Sequence, residues 1–458
     1  MKKNVILIGS GGREHAIADA LVRENTVNLY SAMKVKNPGI IRLAKDIVYT
    51  ESSTEEIINF CIKRAIDFCV VGPEIPLSLG ITDRLSEIGI PSASPSQLAA
   101  RIETDKGYAR SLMKKNNIPG QIKYLHTSSL KEALSFSEQL AWKIAIKPIG
   151  LTAGKGVKVW KDHLQTPEEV KAYIKKILST GISGHNSVII EELLAGQEYT
   201  IQLFSDGING IPTPAIQDHK RANNNDKGPN TGGMGAYSNN DGLLPFLTKD
   251  QYNKSVEIAR QVITAMYKEG NPFKGILYAQ FMLTVNGPKV IEFNARFGDP
   301  EAMNILPLLQ SNFAAICEAI IAGNLHKDMI KFKSQGSVSC YVVPEGYGTN
   351  PKPNREIHIN EDQISKSGAR LYFASCNLKS ETNPKNTVIT TTTSRTLGII
   401  GLGDTVFEAQ KIVRSAIQNV RGDIFYRTDI GTKKSIQKKV SMMKRIDRYR
   451  KLSTLPRK

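Results

Sequence analysis

Short apolar runs alternate with amphipathic stretches along the N-terminal part of the chain. The apolar runs have the length and composition of buried strands, and the amphipathic stretches have the period of helices. The predicted elements are a strand at 5–8, a helix at 14–23, a strand at 27–30, a helix at 54–64 and a strand at 68–71. Strands that alternate with helices form a doubly wound parallel sheet, so the sequence predicts an N-terminal α/β domain over residues 1–103.

The pattern changes to α+β after the prolines of residues 91–95. A helix at 106–116 is followed by predicted strands at 142–147, 157–160 and 188–191, a helix at 167–178, a second helix at 249–269 and strands at 276–284 and 289–295. Residues 205–240 are rich in Gly, Pro and Asn and are predicted to form one long loop, which in a compact region is usually functional. Beyond residue 331 we expect short strands and loops with a helix at 406–419.

Length and composition place the chain among globular enzymes of several domains. Its 458 residues exceed what one hydrophobic core holds, so we expect about three domains. No apolar run is long enough to cross a bilayer, and the N-terminal residues lack a secretory cleavage site. The five cysteines are scattered, which favours buried free thiols over disulfides or a zinc site. We therefore expect a cytoplasmic protein without a membrane partner.

Basic residues concentrate in a C-terminal tail. The net charge of the chain is +18, and residues 433–458 carry eleven Lys or Arg and one acid. Such a tail could bind nucleic acid. Four apolar residues recur there at helical spacing, however, which predicts a helix packed on the protein with its charges in solvent; they are Ile436, Val440, Met443 and Ile446. Because no nucleic-acid motif accompanies the charge, we favour the packed helix.

A glycine cluster at residues 9–12 follows the first strand and opens a helix. Backbone N–H groups at such a turn suit an anion. A dinucleotide fingerprint would need glycine where Glu14 stands and an acid after the second strand, where Met33 and Lys34 lie, so a phosphate-bearing substrate is favoured over NAD. A second turn, with Glu74, follows the strand at 68–71, and ligands bind at this edge of parallel sheets. The alternative is a pair of tight turns without a ligand.

A second glycine cluster, at residues 147–156, contains Lys147 and Lys155. It is not a Walker loop, because Gly156 stands where Ser or Thr would be and a strand follows. A glycine-rich hairpin with two lysines can still fold over a triphosphate and neutralise its charge. An ordinary hairpin can have the same composition.

The predicted hairpin of residues 276–295 has one apolar and one polar face. Side chains alternate along a strand, so Glu292, Asn294 and Arg296 share the polar face. An odd-length loop, such as 285–287, keeps the apolar faces together and sets Gln280 opposite Glu292. Three oxygen-bearing side chains, Gln280, Glu292 and Asn294, then converge, which suits Mg²⁺. The alternative is a solvated polar face.

Taken in order, these motifs resemble those of the phosphoribosylamine–glycine ligase family, the glycinamide ribonucleotide synthetases of the ATP-grasp superfamily. The resemblance is carried by residues 9–15, 72–80, 217–238 and 291–301 and covers about 1–431. It implies an α/β and α+β multidomain fold: an N-terminal substrate domain, an ATP-grasp core over 104–330 with a mobile lid at about 120–192, a small α+β C-terminal domain over 331–431, and the basic tail 432–458.

The resemblance also implies roles for particular residues. Those that would bind ATP are Lys106, Lys147, Gly150, Gly154, Lys155, Gly156, Glu191, Glu192, Leu194 and Glu198. Those that would face glycine and phosphoribosylamine are Gly11, Gly12, Arg13, Glu14, Glu74, Asp218, His219, Lys220, Arg221, Asn230, Thr231, Gly232, Gly233, Met234 and Arg296. The catalytic residues would be Arg296, Lys155 and Asp218, and the metal ligands Gln280, Glu292 and Asn294, the set that the strand faces give independently.

The activity implied by the resemblance is ligation of glycine to 5-phosphoribosylamine through glycyl phosphate, with ATP and Mg²⁺ or Mn²⁺, in purine biosynthesis. Its partners are these small molecules, and we expect a monomer or a weak homodimer. Another carboxylate–amine ligase of the superfamily is the alternative activity. Arg296 would hold the carboxylate, unless it only pairs with Asp299 or Glu301 to brace a turn. The sequence departs from the family at Gln280, where bacterial members often have Gly, and at residues 36–39 and 147–152.

Overall fold

The computed structural model describes residues 2–149, 156–181, 186–381 and 386–453. The N-terminal sheet consists of β1 (Lys3–Ile8), β2 (Val27–Ala32), β3 (Asp46–Val48) and β4 (Phe68–Val71). Its helices are α1 (Gly12–Val22), α2 (Pro38–Leu43), α3 (Thr54–Lys63), α4 (Glu74–Ser78), α5 (Ile81–Glu87) and α6 (Gln97–Thr104). The four strands are parallel in the order β3-β2-β1-β4, which confirms the predicted parallel sheet.

The next unit is a small sheet covered by two helices. It consists of α7 (Lys106–Lys115), β5 (Tyr124–Thr127), α8 (Leu130–Gln139), β6 (Ile144–Pro148), β7 (Lys158–Val159), α9 (Pro167–Thr180) and β8 (Val188–Glu192), with strand order β5-β8-β6-β7. The prediction that a strand begins at Trp142 is wrong by two residues. Ala141 and Trp142 have φ angles of 49° and 62°, so the chain turns there and β6 begins at Ile144.

The third unit contains the long hairpin. Its elements are β9 (Gln197–Asp206), β10 (Gly210–Pro212), β11 (Gln217–Asp218), β12 (Arg221–Asn223), β13 (Lys227–Asn230), β14 (Ala236–Ser238), α10 (Lys249–Lys268), β15 (Lys274–Thr284), β16 (Gly287–Asn294), α11 (Glu301–Leu308) and α12 (Phe313–Ala322). The main sheet has the order β10-β9-β15-β16. The prediction of one long loop over 205–240 is wrong, because five short strands, β10 to β14, form within it.

The register of the hairpin confirms one prediction and corrects another. Gln280 lies opposite Glu292, as expected. The loop is not of odd length, however, because Thr284 pairs with Gly287 and only two residues intervene. A β-bulge at Ile291 supplies the extra residue, since Phe281 pairs with Val290 while Gln280 pairs with Glu292.

The C-terminal unit contains two antiparallel sheets. Its elements are β17 (Gly336–Pro344), β18 (Glu356–Ile359), α13 (Glu361–Lys366), β19 (Arg370–Phe373), β20 (Cys376–Glu381), β21 (Thr387–Thr391), β22 (Leu397–Gly403), α14 (Val406–Ile417), β23 (Val420–Gly422), β24 (Ile424–Phe425) and α15 (Lys433–Ser453). One sheet has the order β11-β14-β17-β22-β19, and the other β20-β21-β18-β23. Because β11 and β14 join the first of these, the segment between them is anchored in the C-terminal unit.

The hydrophobic core is divided in a way that sets the second unit apart. Within the described residues, one buried cluster runs through the N-terminal, third and C-terminal units. A separate cluster fills the small sheet, with members such as Ile144, Ile146, Val170 and Ile174. A unit with its own core can move as a body against the rest.

The basic tail forms the helix α15. Ile436 and Met443 are buried, and Val440 and Ile446 pack against the main core, which confirms the predicted packed helix. No described helix is both long and apolar enough to span a membrane.

Candidate functional site

Two turns meet at the carboxyl edge of the N-terminal sheet. Gly9 ends β1 with a φ of +125°, a conformation that favours glycine, and Gly72 ends β4. The side chain of Glu14 lies against both glycines, so a Cβ at either position would clash with it. The structure therefore brings together the two turns that the sequence identifies as candidate anion sites.

The charges at these turns are paired with each other. Glu14 Oε2 accepts a hydrogen bond from the N–H of Gly11 (2.6 Å), and Glu14 Oε1 accepts one from Arg13 Nε (2.6 Å). Arg13 Nη1 also donates to the carbonyl of Phe297 (3.1 Å), which ties the turn to the end of the hairpin. Both side chains are buried, so Glu14 shapes the turn, and a ligand would meet the backbone of Gly11 and Gly12.

Arg296 lies between two glutamates of the N-terminal domain. Its Nη2 is 2.8 Å from Glu103 Oε1, its Nε is 3.3 Å from Glu74 Oε2, and its Nη1 donates to the carbonyl of Phe297. The turn acids Asp299 and Glu301 are not its partners. Burial raises the pKa of Glu103 to about 7, against the lowering effect of Arg296. Glu103 was not identified from the sequence.

The polar face of the hairpin holds an acceptor without a partner. Gln280 Nε2 donates to Glu198 Oε2 (2.7 Å), while Gln280 Oε1 is buried and has no hydrogen-bond partner among the described residues. The amide of Asn294 finds a hydrogen-bond partner when its nitrogen donates to Glu103 Oε1 (3.1 Å). In this orientation the amide oxygen points away from Glu103. In both amides the nitrogen thus donates to a protein group, and the oxygen is available to bind a ligand.

Glu292 is the one carboxylate of this face. Burial would raise its pKa, but the surrounding Lys220, Lys147 and Lys106 hold the pKa below its usual range. An ionised carboxylate beside two amide oxygens is a donor set that suits a hard divalent cation sharing phosphate oxygens. The residues present therefore fit Mg²⁺ or Mn²⁺.

A buried ion-pair network lies beside this face. Glu191 accepts from Lys147 Nζ (2.6 Å) on one oxygen and from Arg110 Nε (2.8 Å) on the other. Arg110 also donates to the carbonyls of Val290 and Ile291, at the β-bulge. Both carboxylate oxygens of Glu191 are therefore occupied by these two cations. A base next to Glu191 would have to hydrogen-bond to the backbone of the strand. Arg110 was not identified from the sequence.

The other residues predicted to bind ATP lie on α7, at the end of β8 and in the glycine cluster. Burial lowers the pKa of Lys106, which begins α7 close to Glu292 of the polar hairpin face. The side chain of Glu192 accepts from the N–H of Lys123 (2.8 Å), and Leu194 is half-buried beyond the end of β8. Gly156 accepts from the hydroxyl of Tyr173, whereas Gly150, Gly154 and Lys155 lie outside the described residues.

Residues 217–238 form a folded flap between the third and C-terminal units. Lys220 Nζ lies 3.5 Å from Glu198 Oε2. Burial would lower the pKa of Lys220, but Glu198, Glu292 and Asp218 outweigh it and raise the pKa above its usual range. Arg221 pairs with Asp162 of the small sheet.

The glycine-rich end of this flap is held by the C-terminal unit. Arg395 Nη1 donates to the carbonyls of Gly232 (2.6 Å) and Gly233 (3.2 Å), and its Nη2 pairs with Asp299 (2.7 Å). Thr231 Oγ1 donates to the carbonyl of Lys220. Within the flap, Asn230 pairs with Arg221 across β12 and β13, and Met234 is fully buried. Arg395 was not identified from the sequence.

Two buried carboxyls lie at the base of the flap. Burial raises the pKa of Asp218 and of Glu301, and the negative charge of Glu301 raises that of Asp218 further. Tyr278 donates to Glu301 Oε1 (3.1 Å), and the N–H of His219 donates to Asp218 Oδ1 (2.6 Å). A raised pKa makes a carboxylate a stronger proton acceptor than it is in water.

His219 does not point its ring toward this cleft. Its side chain is buried against Tyr237, and its Nε2 is 3.1 Å from Lys439 Nζ of α15. Any contact of His219 with a ligand would therefore come from its backbone.

Comparison with known proteins identifies the same architecture. Family models described as the N, ATP-grasp (A) and C domains of phosphoribosylglycinamide synthetase match residues 3–103, 104–302 and 337–433. The chain is 43% identical over 442 residues to the phosphoribosylamine–glycine ligase of Methanobrevibacter smithii, covering 96% of this chain and 99% of the relative. It is 47% identical over 449 residues to that of Methanopyrus kandleri, with the same coverage.

Solved structures agree. The phosphoribosylamine–glycine ligase of Thermotoga maritima superposes with a TM-score of 0.77 at 26% identity, covering 93% of this chain and all of that one. A biotin carboxylase from Campylobacter jejuni superposes with a TM-score of 0.71 at 14% identity, covering 97% of this chain and 95% of that one. The second likeness shows the fold alone.

Proposed function

The chain belongs to the phosphoribosylglycinamide synthetase family, and we propose that it joins glycine to 5-phosphoribosylamine at the expense of ATP. The products are glycinamide ribonucleotide, ADP and phosphate. The observation that carries the assignment of the site is the salt bridging of Arg296 to Glu74 and Glu103. It joins the anion-binding turns of the N-terminal sheet to the oxygen-rich face of the hairpin.

The reaction needs activation of a carboxylate, which is a poor acyl donor. A carboxylate oxygen of glycine attacks the γ-phosphorus of ATP and ADP leaves, giving glycyl phosphate. The amine nitrogen of phosphoribosylamine then attacks the acyl carbon, and the carbon–oxygen bond to phosphate breaks. The protein's task is to position three substrates and to offset their negative charge.

The divalent ion would be held by Gln280, Glu292 and Asn294. When bound, Mg²⁺ or Mn²⁺ neutralises charge on the phosphate oxygens. The free Oε1 of Gln280 and the ionised carboxylate of Glu292 support this assignment.

ATP would lie between the small sheet and the hairpin. Lys106 and Lys147 would meet the phosphates, with Gly150, Gly154, Lys155 and Gly156 covering them. The backbone of residues 191–194 would bind the adenine, because the carboxylates of Glu191 and Glu192 are already engaged. Glu198 would bind the ribose; its present partners are Gln280, one of the proposed metal ligands, and Lys220.

Arg296 would bind the glycine carboxylate and keep hold of it as it becomes an acyl phosphate. A guanidinium has five N–H groups, and the contacts with Glu74, Glu103 and Phe297 leave some of them for a substrate. Glu74 and Glu103 orient its plane. Lys155 would offset charge on the transferred phosphate.

The flap would cover the reacting amine. After attack, the amine nitrogen carries a positive charge and must lose a proton. Asp218, with its raised pKa and its position beside the glycines at 232–233, is the proposed proton acceptor. Gly11 and Gly12 would bind the ribose phosphate through their backbone at the end of the N-terminal sheet, where the buried Arg13–Glu14 pair shapes the turn.

The five described cysteines are free and buried, which fits a reducing compartment, so we place the enzyme in the cytoplasm. A monomer or weak homodimer is the oligomeric state that we propose.

A coupled assay of ADP release tests the assignment. ADP should form only when glycine and freshly generated phosphoribosylamine are both present, with one glycinamide ribonucleotide per ADP. Equal rates with alanine, serine or β-alanine in place of glycine would show another carboxylate–amine ligase of the superfamily.

A further inference from the structure

One lysine of the basic C-terminal helix is buried, unlike its neighbours. Lys439 is only 7% exposed, whereas Lys438 is exposed to solvent. The helix α15 begins at Lys433, where the match to the family C-domain model ends. The family match therefore gives no role to this side chain, and burying an ammonium group is costly unless it is paired.

The closest partner of Lys439 is the imidazole of His219. The distance from Lys439 Nζ to His219 Nε2 is 3.1 Å, and Asp226 Oδ2 is farther away at 4.0 Å. Asp226 is also paired with the fully buried Arg427 at 2.9 Å, so its charge is shared. Burial lowers the pKa of His219, and Lys439 and Arg427 lower it further, so the ring is neutral and Nε2 can accept a hydrogen bond.

His219 connects this contact to the reaction site through its backbone. Its N–H donates to Asp218 Oδ1 (2.6 Å) and to the carbonyl of Gly235 (3.0 Å), and its carbonyl accepts from Met234 (2.9 Å). A change in the ring position would therefore move Asp218 and the adjoining glycines. The ring also packs on Tyr237, and Arg427 lies near enough to lower its pKa, while its Nδ1 lacks a hydrogen-bond partner among the described residues.

The same helix also contacts the strand that carries Glu198. Gln197 Nε2 lies 2.9 Å from the sulfur of Met442, and Gln197 is the first residue of β9. Met442 and Lys439 are neighbours on one helical face. The helix thus contacts both the flap and the first residue of β9.

We propose that Lys439 is a positioning residue for the ligation: its ammonium group holds the ring of His219, and thereby sets Asp218 and residues 232–235 against the amine substrate. This inference rests on the proposed function, since the flap is assigned to the amine there. It gives the C-terminal helix a role in substrate binding that does not require nucleic acid.

Lys439→Met tests the proposal, with Lys438→Met as the matched control one residue away. Methionine keeps the apolar stem and removes the ammonium group. For Lys439→Met we expect kcat/KM for phosphoribosylamine to fall about tenfold, an unchanged Kd for ATP, and a melting temperature equal to or above that of the parent. Lys438→Met should match the parent in all three, and Lys439→Arg, which keeps a charged donor, should recover at least about a third of the lost kcat/KM.

A loss of activity without a loss of stability cannot come from misfolding, so this combination separates positioning from a merely structural role. Parent-like kcat/KM in Lys439→Met would overturn the inference, as would equal losses in Lys439→Met and Lys439→Arg. If Lys439→Met does not fold, Lys439→Gln is compared with Lys438→Gln, and equal kcat/KM in those two would overturn it. Absence of turnover in the parent would instead contradict the proposed function.

Discussion

The guanidinium of Arg296 and the carboxylate of Glu103 lie 2.8 Å apart, and Glu103 also accepts from the backbone N–H of Ala295. Glu103 ends the N-terminal domain, whereas Arg296 follows the last strand of the hairpin. Their contact joins the end of the N-terminal domain to the polar face of the hairpin, where we propose the metal site. The site is therefore built across a domain boundary.

Replacing Arg296 by lysine should impair the use of glycine. Lysine keeps the charge but cannot form two parallel hydrogen bonds with a carboxylate. It also cannot make salt bridges with Glu74 and Glu103 at the same time. We expect Arg296→Lys to raise the KM for glycine and lower kcat, with kcat/KM down about thirtyfold, or ~2 kcal/mol, and little change in the KM for ATP. Steady-state kinetics with each substrate varied in turn measures this.

Arg260→Lys is the control, because Arg260 lies on the outer helix α10 and donates to the carbonyl of Gly210 away from the site. If Arg296→Lys lowers the melting temperature but leaves the KM for glycine unchanged, the residue only braces the domain contact, and the carboxylate site lies elsewhere.

Replacing Glu292 by glutamine should disable the metal site. The side chain keeps its shape but loses the charge that the lysines around it hold ionised. We expect turnover to fall by at least about a hundredfold, a loss of a few kcal/mol in transition-state stabilisation. Turnover at saturating ATP across a Mg²⁺ series measures the effect, and Glu257→Gln, on the exposed face of α10, is the control. Near-normal turnover with normal folding would remove Glu292 from the site.

Acid lability should depend on His15. Its Nδ1 accepts from the N–H of Phe373 (2.8 Å), and burial lowers its pKa to about 4, with Asp19 opposing the shift. An unfolded histidine has a pKa of about 6.5, so the unfolded state binds the extra proton between pH 6.5 and 4 and stability is lost as pH falls through that window. Between pH 7 and pH 5 the loss from this group is ~2 kcal/mol.

His15→Asn should remove that part of the pH dependence, because the amide oxygen can still accept from Phe373 without titrating. Urea unfolding of parent and variant at pH 7 and pH 5 measures the difference. The idea fails if both proteins lose the same free energy of unfolding between the two pH values.

The small sheet should report nucleotide binding by fluorescence. The chain has two tryptophans, Trp142 and Trp160, and both pack against the core of this sheet, which is separate from the main one. We expect Mg-ATP to change the tryptophan emission as the sheet closes. Trp160 lies two residues from Asp162, which pairs with Arg221, so Trp160→Phe should lose more of the signal than Trp142→Phe. A tryptophan emission spectrum that does not change at saturating Mg-ATP would contradict closure of the small sheet.

The period of apolar residues was sufficient to predict most elements and the polar face of the hairpin. The pairing of Gln280 with Glu292 was predicted correctly, but through a loop of the wrong length. The alternation of apolar and polar residues cannot distinguish a loop with an odd number of residues from a loop with an even number and a β-bulge. Both arrangements place the apolar residues of the two strands on the same face of the hairpin. At the bulge, Arg110 of the helix α7 donates to the carbonyls of Val290 and Ile291, a contact between segments distant in the chain.

The residues that the sequence did not reveal act through contacts between segments that are distant in the chain. Glu103, Arg110 and Arg395 each contact a segment distant in the chain, and none belongs to a local motif. His219 belongs to a motif, yet its ring faces Lys439 of the tail. A motif identifies a residue type at a position, whereas the direction of its side chain is set by packing from elsewhere.

Isotope transfer from glycine tests the central claim most directly. Glycine labelled with ¹⁸O in both carboxylate oxygens is turned over with ATP and phosphoribosylamine, and the phosphate and glycinamide ribonucleotide are analysed by mass spectrometry. If the carboxylate is activated as glycyl phosphate, each phosphate released carries one ¹⁸O from glycine and the amide retains the other. Phosphate released without ¹⁸O, alongside normal formation of glycinamide ribonucleotide, would contradict the account.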